Sequence, residues 1–130
     1  MPNRQVLLTK KVTIRCSHQL SECFSGQKAT PKELSLHGHH YEVFVTLKGA
    51  IDTNSGLIVH RDQFDKILQE RVIQKYDKTL LNRFFDKPTG EILVQSLTEE
   101  LLESDLNKHL HQVQIKETDK NFFSGPICND

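Results

Sequence analysis

The amino-acid sequence predicts an α+β chain in the order β-β-α-α-β-β, an antiparallel sheet carrying two helices on one face. Three observations lead there. The chain opens with two segments that alternate apolar and polar residues, its middle holds two apolar rows at helical spacing, and alternation returns near the C-terminus.

The first strand is predicted over residues 6–18. Val12, Ile14, Cys16 and His18 fall on one side of it, and Lys11, Thr13, Arg15 and Ser17 on the other. A polar stretch with Ser21, Ser25, Gly26, Thr30 and Pro31 follows as a long loop. In the second strand, over residues 37–48, His37, His39, Tyr41, Val43, Val45 and Leu47 share one face, while His40, Glu42, Thr46 and Lys48 point outward. The run Asp52-Thr53-Asn54-Ser55-Gly56 is a turn, and Leu57-Ile58-Val59 a brief apolar extension. Asp62 stands where a helix N-cap belongs, and Phe64, Ile67, Leu68, Val72 and Tyr76 give that helix an apolar row to about Lys75. Thr89 is the expected cap of a second helix reaching about Ser104, with Leu93, Leu97 and Leu101 at i, i+4 spacing. Val113, Ile115 and Glu117 then share one strand face, opposite Gln114, Lys116 and Thr118, and residues 121–127 form a last short strand or arm.

With 130 residues, no linker-like stretch and no internal repeat, residues 1–130 read as a single domain. Seventeen basic side chains balance seventeen acidic ones, which argues against a general nucleic-acid or membrane-surface binder. No apolar run has the length of a membrane span, and the first residues carry no signal-peptide core. Three cysteines, Cys16, Cys23 and Cys128, show neither an even count nor Cys-x-x-Cys spacing, so a cytoplasmic protein without a disulfide framework is expected.

Parity aims His18, His37 and His39 at the buried face. Two imidazoles at i, i+2 on one strand and a third from another strand supply three neutral nitrogens and leave a fourth tetrahedral position open, the donor set of a catalytic Zn2+ acting as a Lewis acid. The plainer alternative is a set of hydrogen-bonded core histidines. Gly38, between two of them, removes a side chain where a ligand or backbone approaches, or else marks a bulge. Glu117 shares its face with Val113 and Ile115, so it either frays into solvent or meets a partner with adjacent N–H donors, such as the guanidine-like edge of a pterin or guanine. Glu33, four residues before His37, is a candidate general base or an ordinary loop glutamate. Asp77 and Lys78, just past the first helix, are a candidate polar pair in a cleft or a solvated helix end.

These residues together resemble a known family. A strand ending in His18, then Leu36-His37-Gly38-His39-His40-Tyr41, Gly56-Leu57-Ile58-Val59, Asp77 with Leu81-Asn82, Pro88-Thr89-Gly90-Glu91 and Lys116-Glu117-Thr118 are similar, in order and spacing, to the 6-pyruvoyl- and 6-carboxytetrahydropterin synthases. The resemblance spans nearly the whole chain. It implies a tunnelling fold, in which protomer sheets join into the barrel of a homo-oligomer, a trimer or a hexamer. It also implies a small-molecule pterin substrate, 7,8-dihydroneopterin triphosphate or a close relative, and work in folate or queuosine biosynthesis. His18, His37 and His39 match the family's zinc ligands. Glu117, with Thr118 beside it, matches the glutamate that anchors the pterin ring. Glu33 stands where most members have a proton-abstracting cysteine, and Cys23 lies too far upstream to replace it. That exchange resembles a subgroup that cleaves the side chain to give 6-hydroxymethyl-7,8-dihydropterin. Lys78 follows Asp77 where an Asp-His pair is usual, and His60-Arg61 stands where an Asp-Phe pair is common. Glu33, Asp77 and Lys78 are thus the expected catalytic residues of a zinc-dependent lyase. Synthase activity giving a 6-pyruvoyl or 6-carboxy product, and a non-catalytic pterin-binding paralogue, are the alternatives.

Overall fold

In a computed structural model, which describes residues 4–19, 23–24, 27–28 and 36–125, two long strands form the spine of the molecule. β1 (Gln5–His18) and β4 (His37–Ala50) pair antiparallel along their whole length, from Gln5 opposite Ala50 to His18 opposite His37. Between them in sequence, β2 (Cys23–Phe24) and β3 (Gln27–Lys28) make a separate two-stranded ribbon. β5 (Thr79–Leu80), β6 (Leu110–Lys116) and β7 (Phe122–Gly125) complete a five-stranded sheet in the order β5-β1-β4-β6-β7. All its neighbours are antiparallel except β5, which runs parallel to the end of β1.

The predicted parity holds. Ile14, Val43, Val45, Leu47, Val113 and Ile115 are fully buried on one face, while Lys11, Thr13 and Arg15 are exposed on the other. Two helices cover the buried face. The first, α1, runs as an α-helix over Arg61–Leu68 and continues through a π-helical segment, Gln69–Ile73, into a last turn at Gln74–Tyr76. Phe64, Leu68, Val72 and Tyr76 are its buried row. At 3.6 residues per turn a four-residue row drifts about 40° with each step. The wider i→i+5 turn counters that drift and keeps Tyr76 over the sheet. The helix begins two residues earlier than a cap at Asp62 implies: His60 is the N-cap, with no side-chain capping bond, and Asp62 lies inside the first turn. There a carboxylate complements the helix dipole.

The second helix, α2 (Gly90–Leu102), is capped as expected by Thr89, whose hydroxyl accepts from the Ile92 N–H at 3.3 Å. Leu93, Leu97 and Leu101 pack fully buried against the sheet, each contributing roughly 1.5–3 kcal/mol by removal from water. Glu100 of α2 grips Arg71 and Lys75 of α1, both at 2.9 Å, and so ties the helices together. Glycine brings β7 close to α2, since a Cβ on Gly125 would lie 2.0 Å from the Thr98 hydroxyl. No helix among the described residues is long and apolar enough to cross a membrane.

Candidate active site

The site lies at one end of the β1–β4 ladder. Because His18 is opposite His37 and Cys16 opposite His39, His18 and His39 are diagonal neighbours on the buried face. Their rings meet edge to face, centroids 4.9 Å apart. His18 is 4% exposed, and its Nδ1 lies 2.9 Å from the carbonyl oxygen of Pro88, in the turn leading to α2. A proton on Nδ1 donated to that oxygen puts the ring's lone pair on Nε2, the arrangement by which metal-binding histidines are oriented. The backbone of His37 is paired with that of His18, while its side chain lies outside the described residues, as does Glu33. Among the described residues no three potential ligands gather into a cluster. The two described imidazoles fit a metal in donor chemistry, in spacing and in the carbonyl bond that orients one of them.

One pleat along β4, the Tyr41 ring lies 5.5 Å from His39. Its hydroxyl donates to Glu117 Oε2 at 3.3 Å. Burial, followed by the neighbouring Glu117 carboxylate, pushes the Tyr41 phenol well above its ordinary range and keeps it a donor. The line His18, His39, Tyr41, Glu117 therefore runs from β1 across β4 to the residue that follows β6. β6 ends at Lys116, so Glu117, expected on the strand, directly follows it, its N–H bonded to the Asn121 carbonyl at 3.1 Å. Thr118 shapes that turn: its hydroxyl accepts from the N–H groups of Lys120 and Asn121, both at 3.2 Å. Cys16, on the same face, donates its thiol to the Tyr76 carbonyl at 3.2 Å, and burial, then Asp77, pushes its pKa up to about 12. It is a packed thiol rather than a nucleophile.

Asp77 and Lys78 lie at the edge of the sheet, where β5 joins β1. Asp77 Oδ1 accepts from the Arg15 backbone N–H at 2.8 Å, and Oδ2 from the Arg15 guanidinium at 3.2 Å. The backbone bond first, then the guanidinium, hold the Asp77 carboxyl below its usual range. Lys78 returns its N–H to the Arg15 carbonyl at 2.6 Å and takes φ 62°, the one non-glycine residue with positive φ among those described. That conformation costs a lysine about 1–2 kcal/mol. It is held by the bonds to Arg15 on either side. Arg15 and Tyr41 carry no sequence signal for these roles. Arg15 is one more exposed residue on the outward row, and its partner lies 62 residues away.

Between Lys78 and the end of β1 opens a cleft of about 490 Å3, lined among others by Arg15, Ser17, Gly38, His39 and His40. Gly38 is in register with Ser17, with no bulge, and a Cβ there would make only ordinary contact, 3.6 Å from the Cys16 carbonyl oxygen. The packing of the described residues does not demand glycine at this position.

The chain is similar to known proteins over most of its length. A family model described as 6-pyruvoyl tetrahydropterin synthase matches residues 7–125. A 6-pyruvoyl tetrahydrobiopterin synthase of Dictyostelium discoideum is 32% identical over 131 residues, covering 92% of this chain and 95% of its own. A provisionally named 6-carboxy-5,6,7,8-tetrahydropterin synthase of Archaeoglobus fulgidus is 30% identical over 108 residues, covering 83% and 88% respectively. The solved structure of Caenorhabditis elegans 6-pyruvoyl tetrahydropterin synthase superposes with a TM-score of 0.80 at 24% identity, over 95% of this chain and 97% of that one, and so shares the fold.

Proposed function

Because the chain belongs to the 6-pyruvoyl tetrahydropterin synthase family, we propose that it is a zinc-dependent pterin lyase acting on 7,8-dihydroneopterin triphosphate or a close relative. The observation that carries this reading is the continuous line from His18 and His39 through Tyr41 to Glu117, which sets a metal-type imidazole pair one pleat from a carboxylate with its own hydrogen-bonded support. Glu117 would take adjacent N–H groups of the pterin edge, a bidentate pairing that fixes orientation as well as affinity. Tyr41 and the Thr118 turn would hold that carboxylate in place. His18, His37 and His39 would hold zinc, which when bound supplies Lewis-acid chemistry that lowers the pKa of a substrate hydroxyl.

Glu33 would accept the proton as general base, a role that needs desolvation to raise a carboxylate from about 4.3. Asp77, committed to Arg15 and held ionised, suits a positioning role better than proton transfer. Lys78, a lysine at the exposed sheet edge, suits stabilisation of negative charge. With Glu33 in place of cysteine, the product under this reading is 6-hydroxymethyl-7,8-dihydropterin. The names of the relatives favour a second reading, a 6-pyruvoyl or 6-carboxy product. Assembly into a trimer or hexamer and a cytoplasmic setting belong to the same proposal. Support for assembly comes from the two short strands, β5 and β7, that end the sheet, whose outer backbone groups can pair with another chain.

The test is incubation of the zinc-loaded protein with 7,8-dihydroneopterin triphosphate and identification of the product, for the parent and for Glu33→Ala. The proposal expects hydroxymethyl product from the parent and none from the variant, with zinc content unchanged. A pyruvoyl or carboxy product selects the second reading. No turnover by a parent that binds zinc and pterin leaves a non-catalytic pterin-binding protein.

A further inference from the structure

We propose that Asn82 is a positioning residue of the imidazole site: its side-chain amide stands in for a missing strand residue, clamps the backbone of Gln19 and thereby holds His18 in the pose in which its ring meets the Pro88 carbonyl. The inference rests on the reading of His18 as a metal ligand, and adds to it a residue that acts through the backbone rather than through the ring.

The argument starts from register. β5 runs parallel to the end of β1, with Thr79 opposite Cys16 and Leu80 opposite Ser17. Continued at the same offset, that ladder would set Leu81 beside His18 and Asn82 beside Gln19. The backbone does not continue it, because Leu81–Arg83 curl into a 3-10 turn anchored by the fully buried Leu81. Asn82 replaces the lost pairing with its side chain: Oδ1 accepts from the Gln19 N–H at 2.9 Å, and Nδ2 donates to the Gln19 carbonyl at 2.8 Å. A primary amide offers the donor and the acceptor of a peptide unit, whereas a carboxylate only accepts. The clamp falls on the residue directly after His18, where β1 ends and its pairing with β4 runs out. Strand ends fray unless something holds them. His18 is thus gripped twice by one stretch of chain, at its ring by the Pro88 carbonyl and at the following peptide by Asn82. Asn82 is itself exposed, so core packing does not account for it.

The test measures zinc affinity by chelator competition, and the tautomer of the His18 ring by nitrogen NMR of the zinc-free protein in mildly alkaline buffer. Both are read in the parent and in Asn82→Ala, Asn82→Asp and Glu100→Ala. Asn82→Asp keeps the shape and one acceptor but sets a second acceptor against the Gln19 carbonyl, and it keeps the test open should the alanine variant not fold. Glu100→Ala cuts the ties to Arg71 and Lys75 and so loosens the fold away from the site. Both Asn82 variants should lose about 10–100-fold in zinc affinity, the usual effect of removing a group that orients a metal ligand. They should also show His18 as a mixture of tautomers where the parent shows the Nδ1–H form. Glu100→Ala, at a comparable or greater loss of thermal stability, should keep the parent's affinity and tautomer. Parental zinc affinity and tautomer in the Asn82 variants overturn the proposal, as does a weakening that Glu100→Ala reproduces. A parent that takes up no zinc, yet whose His18 tautomer is lost in the Asn82 variants, would overturn the metal reading while sustaining the positioning role.

Discussion

Two halves of one sheet face obey the same geometric rule and carry opposite chemistry. In the middle of the sheet, Ile14, Val43, Val45, Val113 and Ile115 are fully buried beneath the helices. One or two pleats along β1 and β4, with the same parity, the face carries Cys16, His18, His39 and Tyr41, the last bonded to Glu117 just past the end of β6. Parity decides which way a side chain points, not what it is. Apolar residues there build a core. Polar residues at the same parity must find partners, and these do: His18 on the Pro88 carbonyl, Cys16 on the Tyr76 carbonyl and Tyr41 on Glu117. A folded chain tolerates such a cluster at the end of a ladder, where a ligand can reach it.

The contrast is sharpened first by truncating the apolar half. Ile14→Ala should cost about 2–5 kcal/mol of unfolding free energy, measured by urea denaturation, because it removes a fully buried side chain and leaves a cavity. Zinc bound per folded chain should stay unchanged. Equal loss of metal and stability would mean that the two halves are not separable.

In the polar half the expected effect falls on the ligand rather than the fold. Glu117→Gln should weaken neopterin binding by about 1–3 kcal/mol, since one acceptor becomes a misplaced donor and buried N–H groups lose their partner. Thermal stability and zinc content should barely move. Tyr41→Phe, which removes only the hydroxyl that supports that carboxylate, should give a smaller loss of affinity, about 1 kcal/mol or less.

The smallest expected effect is at the sheet edge. Asp77 is held ionised by Arg15, so its folded pKa lies below the unfolded value of about 3.9. Its contribution is therefore present above that value and lost as pH falls through the lower folded one. Asp77→Asn should melt slightly below the parent at pH 7, and the two melting temperatures should converge in strong acid. A gap that persists or widens on acidification would contradict the Arg15 pairing.

The difference between the two halves also explains what could be read in the sequence. Period-2 alternation located β1 and β4, and with them the facing of His18 and His39, because fourteen-residue strands repeat the pattern many times over, and in the seven-residue β6 it still set Val113 and Ile115 on the buried face. Thr89 was legible as a cap because its signal is local. β5 was not, since two residues have no period, and neither were the two-residue strands β2 and β3, which fall in a stretch read as loop. The π-helical segment leaves its apolar row looking like any other i, i+4 helix. The Asp77–Arg15 pairing is a product of topology. Only when β5 docks on β1 does an outward-facing arginine meet a carboxylate from beyond the first helix.

The central claim is that three histidines at core parity hold a metal rather than fill a core, and zinc content by mass spectrometry tests it most directly. The parent should hold about one zinc per chain, as a three-histidine site with an open position does, and the His37→Ala/His39→Ala double variant, folded by circular dichroism, should hold close to none. Full zinc occupancy in that variant, or a folded parent that takes up no zinc when it is supplied, would contradict the account.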